Sequence, residues 1–306
     1  MANIIEYLFK NSDLDKTDIK LLSAIREDAR MPLKEIATRC RVSKQTVLYR
    51  INKLLRTGII KGFRTNIDYP RIGYTIYYVF IQTRFIDDEA AFIKELSQLK
   101  GCSIIMKSIT QYSYNLKIIT KNISQTILEL EGFFSRKKNI SSHFILQRLG
   151  SIKEQVEIDD KDKRILEELQ GDCRQSALEI AKKVNLSYDT VHKRIKRLIK
   201  EKVIKNFLTV INFNVEGFNY YSVLLKFADD QLDSQNTFNM MLKGDPQVVR
   251  RFKCIGEFGY MFEIVDNNYI SINEKINKIR SRFHSMIRYS QIVPIQDHYF
   301  FTVRLD

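Results

Sequence analysis

A chain of 306 residues, 44% hydrophobic and 28% charged, is long enough for several modules with cores of their own and is not a disordered polyelectrolyte. Its net charge of +14 points to a polyanionic partner, nucleic acid ahead of an acidic membrane surface. Cys40, Cys102, Cys173 and Cys254 lack metal-ligand or redox spacing, and the opening MANIIEYLFKNSD has too short an apolar run for a signal peptide. Buried thiols, no metal, no cofactor, no membrane and a cytoplasmic location are therefore expected.

The first segment, residues 1–69, opens its pattern at Asp15, a suitable N-cap for a helix carrying Ile19, Leu22 and Ile25 on one face. Pro32 suits the first position of a second helix with Ile36, Ala37 and Cys40 inward. The turn Arg41–Val42–Ser43 follows, with Ser43 as N-cap of a third helix that buries Val47, Ile51 and Leu54. Gly58 sits where a left-handed residue ends such a helix, and IIKGFRTNID then reads as a short β-wing. The sum is a winged helix-turn-helix.

Between Arg39 and Arg64 there are eight basic residues and no acidic one, a like-charged face that repels itself unless an anion approaches. The candidate DNA-contacting set is Ser43, Lys44, Gln45, Thr46, Tyr49, Arg50, Lys53 and Arg64. Lys44 and Gln45, on the first turn of the third helix, are placed to reach base edges, and Arg50, Lys53 and Arg64 to meet phosphates.

Residues 70–154 change character. A β-rich run after Gly73 precedes a helix with Phe92, Ile93, Leu96 and Leu99 inward, then strands near Ser103–Ile109 and Tyr112–Ile119. A helix carrying Ile127, Leu130 and Phe134 and a strand near Ser142–Leu149 complete a βαββαβ order, the ferredoxin-like arrangement. One sheet face is left apolar and uncovered, to be covered by the chain's other such module or by a second chain.

Residues 155–213 then repeat the first segment. Asp18, Leu22, Glu35, Ser43, Thr46, Val47, Arg50 and Ile51 return as Asp162, Leu166, Glu179, Ser187, Thr190, Val191, Arg194 and Ile195. The outward positions differ, with Tyr188 and Asp189 standing where Lys44 and Gln45 stood, so the second candidate set is Ser187, Tyr188, Asp189, Thr190, Lys193, Arg194 and Arg197. Asp189 could accept from a cytosine amino group or simply suit the helix N-terminus. Residues 214–306 repeat the βαββαβ module, with a capping box expected at Ser271 and Glu274 and a final strand HYFFTVRLD. The fold class is thus α+β: two winged helix-turn-helix segments alternating with two ferredoxin-like ones, the basic helices held apart by the sheets.

The stretches LDKTDIKLL and EIATRCRVSKQTVLYRINKLLRTGIIKGF, with second copies IDDKDKRIL and EIAKKVNLSYDTVHKRIKRLIKEKVIKNF, resemble the Lrp/AsnC family of transcription regulators. That resemblance implies a sequence-specific double-stranded DNA-binding transcription regulator; because the outward residues of the two third helices differ, the half-sites read in the major groove are expected to be non-identical. It also implies RAM-type ferredoxin-like modules that pair, within the chain or as a homo-oligomer, and small effectors at their interfaces. The turn between the second and third strands, where the family tends to show Gly-x-x-Asp, is Thr110–Gln111–Tyr112–Ser113 in one half and Gly256–Glu257–Phe258–Gly259 in the other, both without the acid. The tandem form also resembles sirohaem decarboxylases, and an architectural DNA-bridging role is a further alternative. With no nucleophile triad, phosphate loop or paired carboxylates apparent, the chain is expected not to be an enzyme.

Overall fold

The computed structural model describes residues 5, 9, 14–150, 154–228 and 232–306, so the signal-peptide reading of the opening segment falls almost wholly outside it. The chain divides into two compact units, each drawing on both halves of the sequence. Like pairs with like, rather than each helix-turn-helix standing apart beside its own sheet.

In one unit, α1 (Lys16–Glu27), α2 (Leu33–Cys40), α3 (Lys44–Arg56) and β1 (Ile60–Ile67) form the first winged motif. The Asp15 carboxylate caps α1 by accepting from the Thr17 and Asp18 amides, as its position suggested. Pro32 is the N-cap of α2 rather than its first residue, and Arg41 closes that helix in the left-handed conformation at φ 57°. Its counterpart, made of α6 (Asp160–Gly171), α7 (Ala177–Val184), α8 (Tyr188–Lys200) and β6 (Ile204–Ile211), repeats the order, with Ser176 in a capping box with Glu179 where Pro32 stood. Asn185 takes the place of Arg41 at φ 53°. Leu21, Leu22, Ile25, Ile36, Val47, Ile51 and Leu54 make one small core, and Ile165, Leu166, Leu169, Ile180, Val191, Ile195 and Leu198 the other.

The two motifs are not held apart. Their wings β1 and β6 pair antiparallel, with Asn66 opposite Asn206 and Phe63 opposite Thr209. Around that ladder the contacts come in duplicate. Arg30 lies over the Phe207 ring and Arg174 over the Phe63 ring, each at 5.1 Å. Thr65 donates to the Leu169 carbonyl at 2.8 Å and Thr209 to the Ile25 carbonyl at 2.7 Å. A pseudo-twofold axis therefore relates the motifs within one chain.

In the other unit, β2 (Thr75–Thr83), α4 (Glu89–Ser97), β3 (Cys102–Ser108), β4 (Tyr114–Thr120), α5 (Ile123–Ser135) and β5 (Ile140–Arg148) form one βαββαβ module. The strands β7 (Asn219–Phe227), β8 (Val248–Ile255), β9 (Tyr260–Asp266) and β10 (Ile287–Phe300), with α9 (Leu232–Gly244) and α10 (Tyr269–Arg282), form the second. The eight strands close into a barrel in the order β10-β3-β4-β2-β5-β8-β9-β7, so each uncovered sheet face is covered by the other. Outside it, α4 and α5 pack on Tyr77, Val79, Ile81, Leu116 and Ile118, and α9 and α10 on Tyr221, Val223, Leu225, Phe262 and Ile264.

Three local expectations change. Ile127 is 38% exposed, and Thr126 and Phe133 fill the buried face of α5 in its place. Asn268, not Ser271, caps α10, and the Ser271 hydroxyl donates to Asp266 instead. The last strand stops at Phe300; Val303 and Leu305 belong to the winged unit, where Val303 exchanges hydrogen bonds with Gln170. All four cysteines are buried free thiols, and burial pushes Cys102 and Cys254 up to about 12.

Candidate nucleic-acid interface

The third helix of each motif starts the same way. The Ser43 hydroxyl accepts from the Thr46 amide at 3.0 Å and lies 2.8 Å from the Thr46 hydroxyl. Ser187 does the same for Thr190, at 3.2 and 2.8 Å. With these two pairs occupied as caps, the first turn offers its outward side chains free of the core: Lys44 and Gln45 in one motif, Tyr188 and Asp189 in the other, all exposed.

The next turn adds Leu48, Tyr49 and Lys53 in the first motif, Tyr49 being 63% exposed. In the second, Lys193, Lys196 and Lys200 are exposed, and the Tyr188 ring stacks on His192 at 5.6 Å between centroids. A capped backbone, exposed polar tips and a surplus of positive charge suit the edge-and-phosphate pattern of a duplex groove.

Four arginines of the candidate set are engaged elsewhere. Arg50 donates to Asp15 at 2.6 Å and to the buried Asp18 at 2.7 Å, tying α3 to α1. Arg194 repeats this with Asp159 at 2.7 Å and the buried Asp162 at 2.8 Å, and Arg197 adds a second charged bond to Asp162. Arg64 donates to the Gln170 carbonyl at 2.8 Å, and desolvation there lowers its pKa. They brace the motif instead of standing free on its face, because a carboxylate buried without a cation costs several kcal/mol. Lys53 is exposed, only 3.8 Å from Asp18.

The electrostatic effect of the brace is clear at its carboxylates. The Asp162 amide and Arg194 hold Asp159 down to about 2 against the opposing effect of burial. Burial opposes the same trend at Asp15, where Arg50 and the Asp18 and Thr17 amides prevail and lower its pKa.

The strand-connecting turns do different work in the barrel unit. Thr110 donates its amide to the Ser108 hydroxyl and Ser113 accepts from the Ser108 amide, while Gln111 faces solvent. Tyr112 packs edge-on against Phe144 at 4.9 Å, and Phe258, 1% exposed, approaches the same ring at 5.6 Å. Gly256 is needed where it stands, since at φ 136° a Cβ would come within 2.6 Å of the Ile145 carbonyl oxygen. Glu257 is exposed, and the Gly259 amide donates to the Leu225 carbonyl at 3.0 Å. In both turns an aromatic residue thus packs on Phe144.

Sequence reasoning missed the brace and the wing contacts. The signal was in the repeat itself: Asp18 and Arg50, like Arg30 and Phe63, each have a counterpart in the second copy.

A family model described as winged helix-turn-helix DNA-binding matches residues 14–61 and again 158–205. An uncharacterized HTH-type transcriptional regulator of Pyrococcus abyssi is 28% identical over 133 residues, 42% of this chain and 88% of that protein. Regulatory protein AsnC of Haemophilus influenzae is 31% identical over 126 residues, 41% of this chain and 81% of that protein. Each of these relatives thus spans about one half of the duplicated chain.

Among solved structures, the siroheme decarboxylase NirDL superposes with a TM-score of 0.63 over 95% of this chain and 94% of its own, at 15% identity. At that identity the likeness shows the fold alone. It still corrects one expectation. The chain was read as no enzyme because no catalytic motif stood out, yet its whole duplicated architecture is one that an enzyme uses. On its sequence relatives and its repeated DNA-binding motif, the chain belongs to the Lrp/AsnC family as a tandem-duplicated member.

Proposed function

We propose that this chain is a DNA-binding transcription regulator that reads two non-identical half-sites with one polypeptide. The observation carrying this reading is the pair of identically capped third helices whose first turns differ, Lys44–Gln45 against Tyr188–Asp189. In a homodimer the two reading helices are necessarily identical. Here an internal pseudo-dyad joins two different ones, and a matching operator would be an imperfect palindrome.

Lys44 is chemically suited to guanine O6 and N7, and Gln45 to adenine N6 and N7. Asp189 repels phosphate and accepts from a cytosine amino group. Lys53, Lys193 and Lys196 supply the sequence-independent attraction to the backbone. The barrel in this reading is the scaffold on which further assembly would build. Site selection from a random duplex library with the full chain tests the proposal. An asymmetric consensus supports it, and a symmetric one, or none, refutes it.

A second reading has one observation behind it, the whole-chain likeness to siroheme decarboxylase NirDL. It makes the chain a decarboxylase of a polycarboxylate tetrapyrrole. Mixing the protein with sirohaem and following its absorbance, then analysing the product by mass, decides that case.

A further inference from the structure

The two third helices differ beyond their first turns. The duplication kept what the fold needs: the caps Ser43 and Ser187, the buried stripes Val47–Ile51–Leu54 and Val191–Ile195–Leu198, and the braces Arg50–Asp18 and Arg194–Asp162. It even kept a partly exposed aliphatic residue near the helix end, Leu55 at 37% and Ile199 at 44%. In the second turn the copies part. Leu48 stands where the second helix has His192.

Leu48 is 50% exposed. An exposed leucine alone is ordinary, because a folded surface always keeps much apolar area. Its neighbours set this one apart. On an α-helix, residues three and four apart share a face, so Leu48 adjoins Lys44, Gln45 and Asn52, all exposed. It is thus the aliphatic member of a polar face on a helix with no acidic residue.

Such a side chain has a narrow choice of complement in the major groove. Base edges there present hydrogen-bond donors and acceptors, and one apolar substituent, the C5-methyl group of thymine. Contact between Leu48 and that methyl removes both from water at no polar cost. A donor or acceptor pressed against Leu48 instead loses its water and gains no hydrogen bond. The same contact therefore favours one base and penalises the others.

The second helix is different chemistry at this point. His192 carries two ring nitrogens, and its ring stacks on Tyr188 at 5.6 Å with the planes 11° apart. The stacked pair offers polar ring atoms where Leu48 offers only methyl groups. We infer, on the basis of the DNA-reading function proposed above, that Leu48 reads a thymine methyl in the half-site of the first motif. The aligned position in the half-site of the second motif carries no such requirement.

Replacing each thymine of the selected duplex in turn by deoxyuridine, which lacks only the methyl, tests this in anisotropy titrations of the full chain. One replacement in the first half-site should weaken binding roughly three- to fivefold, the effect of taking about one methyl out of an apolar contact. Deoxyuridine at the aligned position of the second half-site should change affinity by less than about twofold, and an equal loss there would overturn the asymmetry. Leu48→Ala should lose a similar factor on the thymine duplex and be indifferent to deoxyuridine at the sensitive position, so that the two losses do not add. A thymine preference that persists unchanged in Leu48→Ala would assign the methyl to another residue and overturn the inference. So would indifference of the unmodified chain to every thymine of a duplex it still binds, a comparison that needs no variant to fold. Failure to bind any duplex is a separate result, which removes the DNA-reading function itself and this contact with it.

Discussion

Arg50 Nη1 donates to the buried carboxylate of Asp18 at 2.7 Å, across 32 residues of sequence, and the same bond recurs between Arg194 and Asp162 at 2.8 Å. A residue on the basic helix thus serves the fold before it can serve a ligand. Removing it leaves Asp18 with only Lys53, 3.8 Å away. Arg50→Ala should therefore cost about 2–3 kcal/mol of stability. Urea denaturation checks this, and a loss under about 0.5 kcal/mol would show the brace to be idle.

The two motifs differ at the end of the third helix in a way that isolates backbone strain. Gly58 adopts φ 73° without penalty, while Lys202, its counterpart, adopts φ 58° with a side chain. Left-handed backbone costs a non-glycine residue about 1–2 kcal/mol. Lys202→Gly should stabilise the chain by about 1 kcal/mol, less whatever unfolded-state entropy glycine adds. Gly58→Lys should do the reverse. Paired thermal melts of the two variants decide it.

What the sequence made legible was local. The caps at Ser43 and Ser187 and the helix cores could be read because partners lie within one or two turns. The role of Arg50 could not, since its charge looks the same whether it meets Asp18 or a phosphate. Wing pairing was hidden for a similar reason: nothing in IKGFRTNI says which edge it will find. The unpartnered sheet faces were foreseen, but the identity of the cover was not, because either half or a second chain satisfies the same apolar pattern.

The brace also sets a pH response. Asp159 is held at about 2 in the folded chain, below its usual 3.8, so its contribution is complete above pH 4 and is lost as pH falls toward 2. Asp15 shifts in the same direction. Denaturation midpoints measured from pH 5 to 2 should fall more steeply for the unmodified chain than for Asp159→Asn. Parallel curves would contradict the assignment.

Exchanging the first turns tests who reads the bases. Lys44→Tyr with Gln45→Asp should convert the first half-site preference to that of the second and make the selected consensus symmetric. Each base position that loses its reader should discriminate less by about 1–3 kcal/mol. An unaltered consensus would assign reading to other residues.

The most direct measurement is the affinity of the full chain for a duplex carrying its selected site, compared with a scrambled duplex, as salt is raised. Binding to both should weaken with salt, with the selected site remaining at least roughly a thousandfold tighter. Equal affinities that vanish together, or no binding at low salt, would contradict the account.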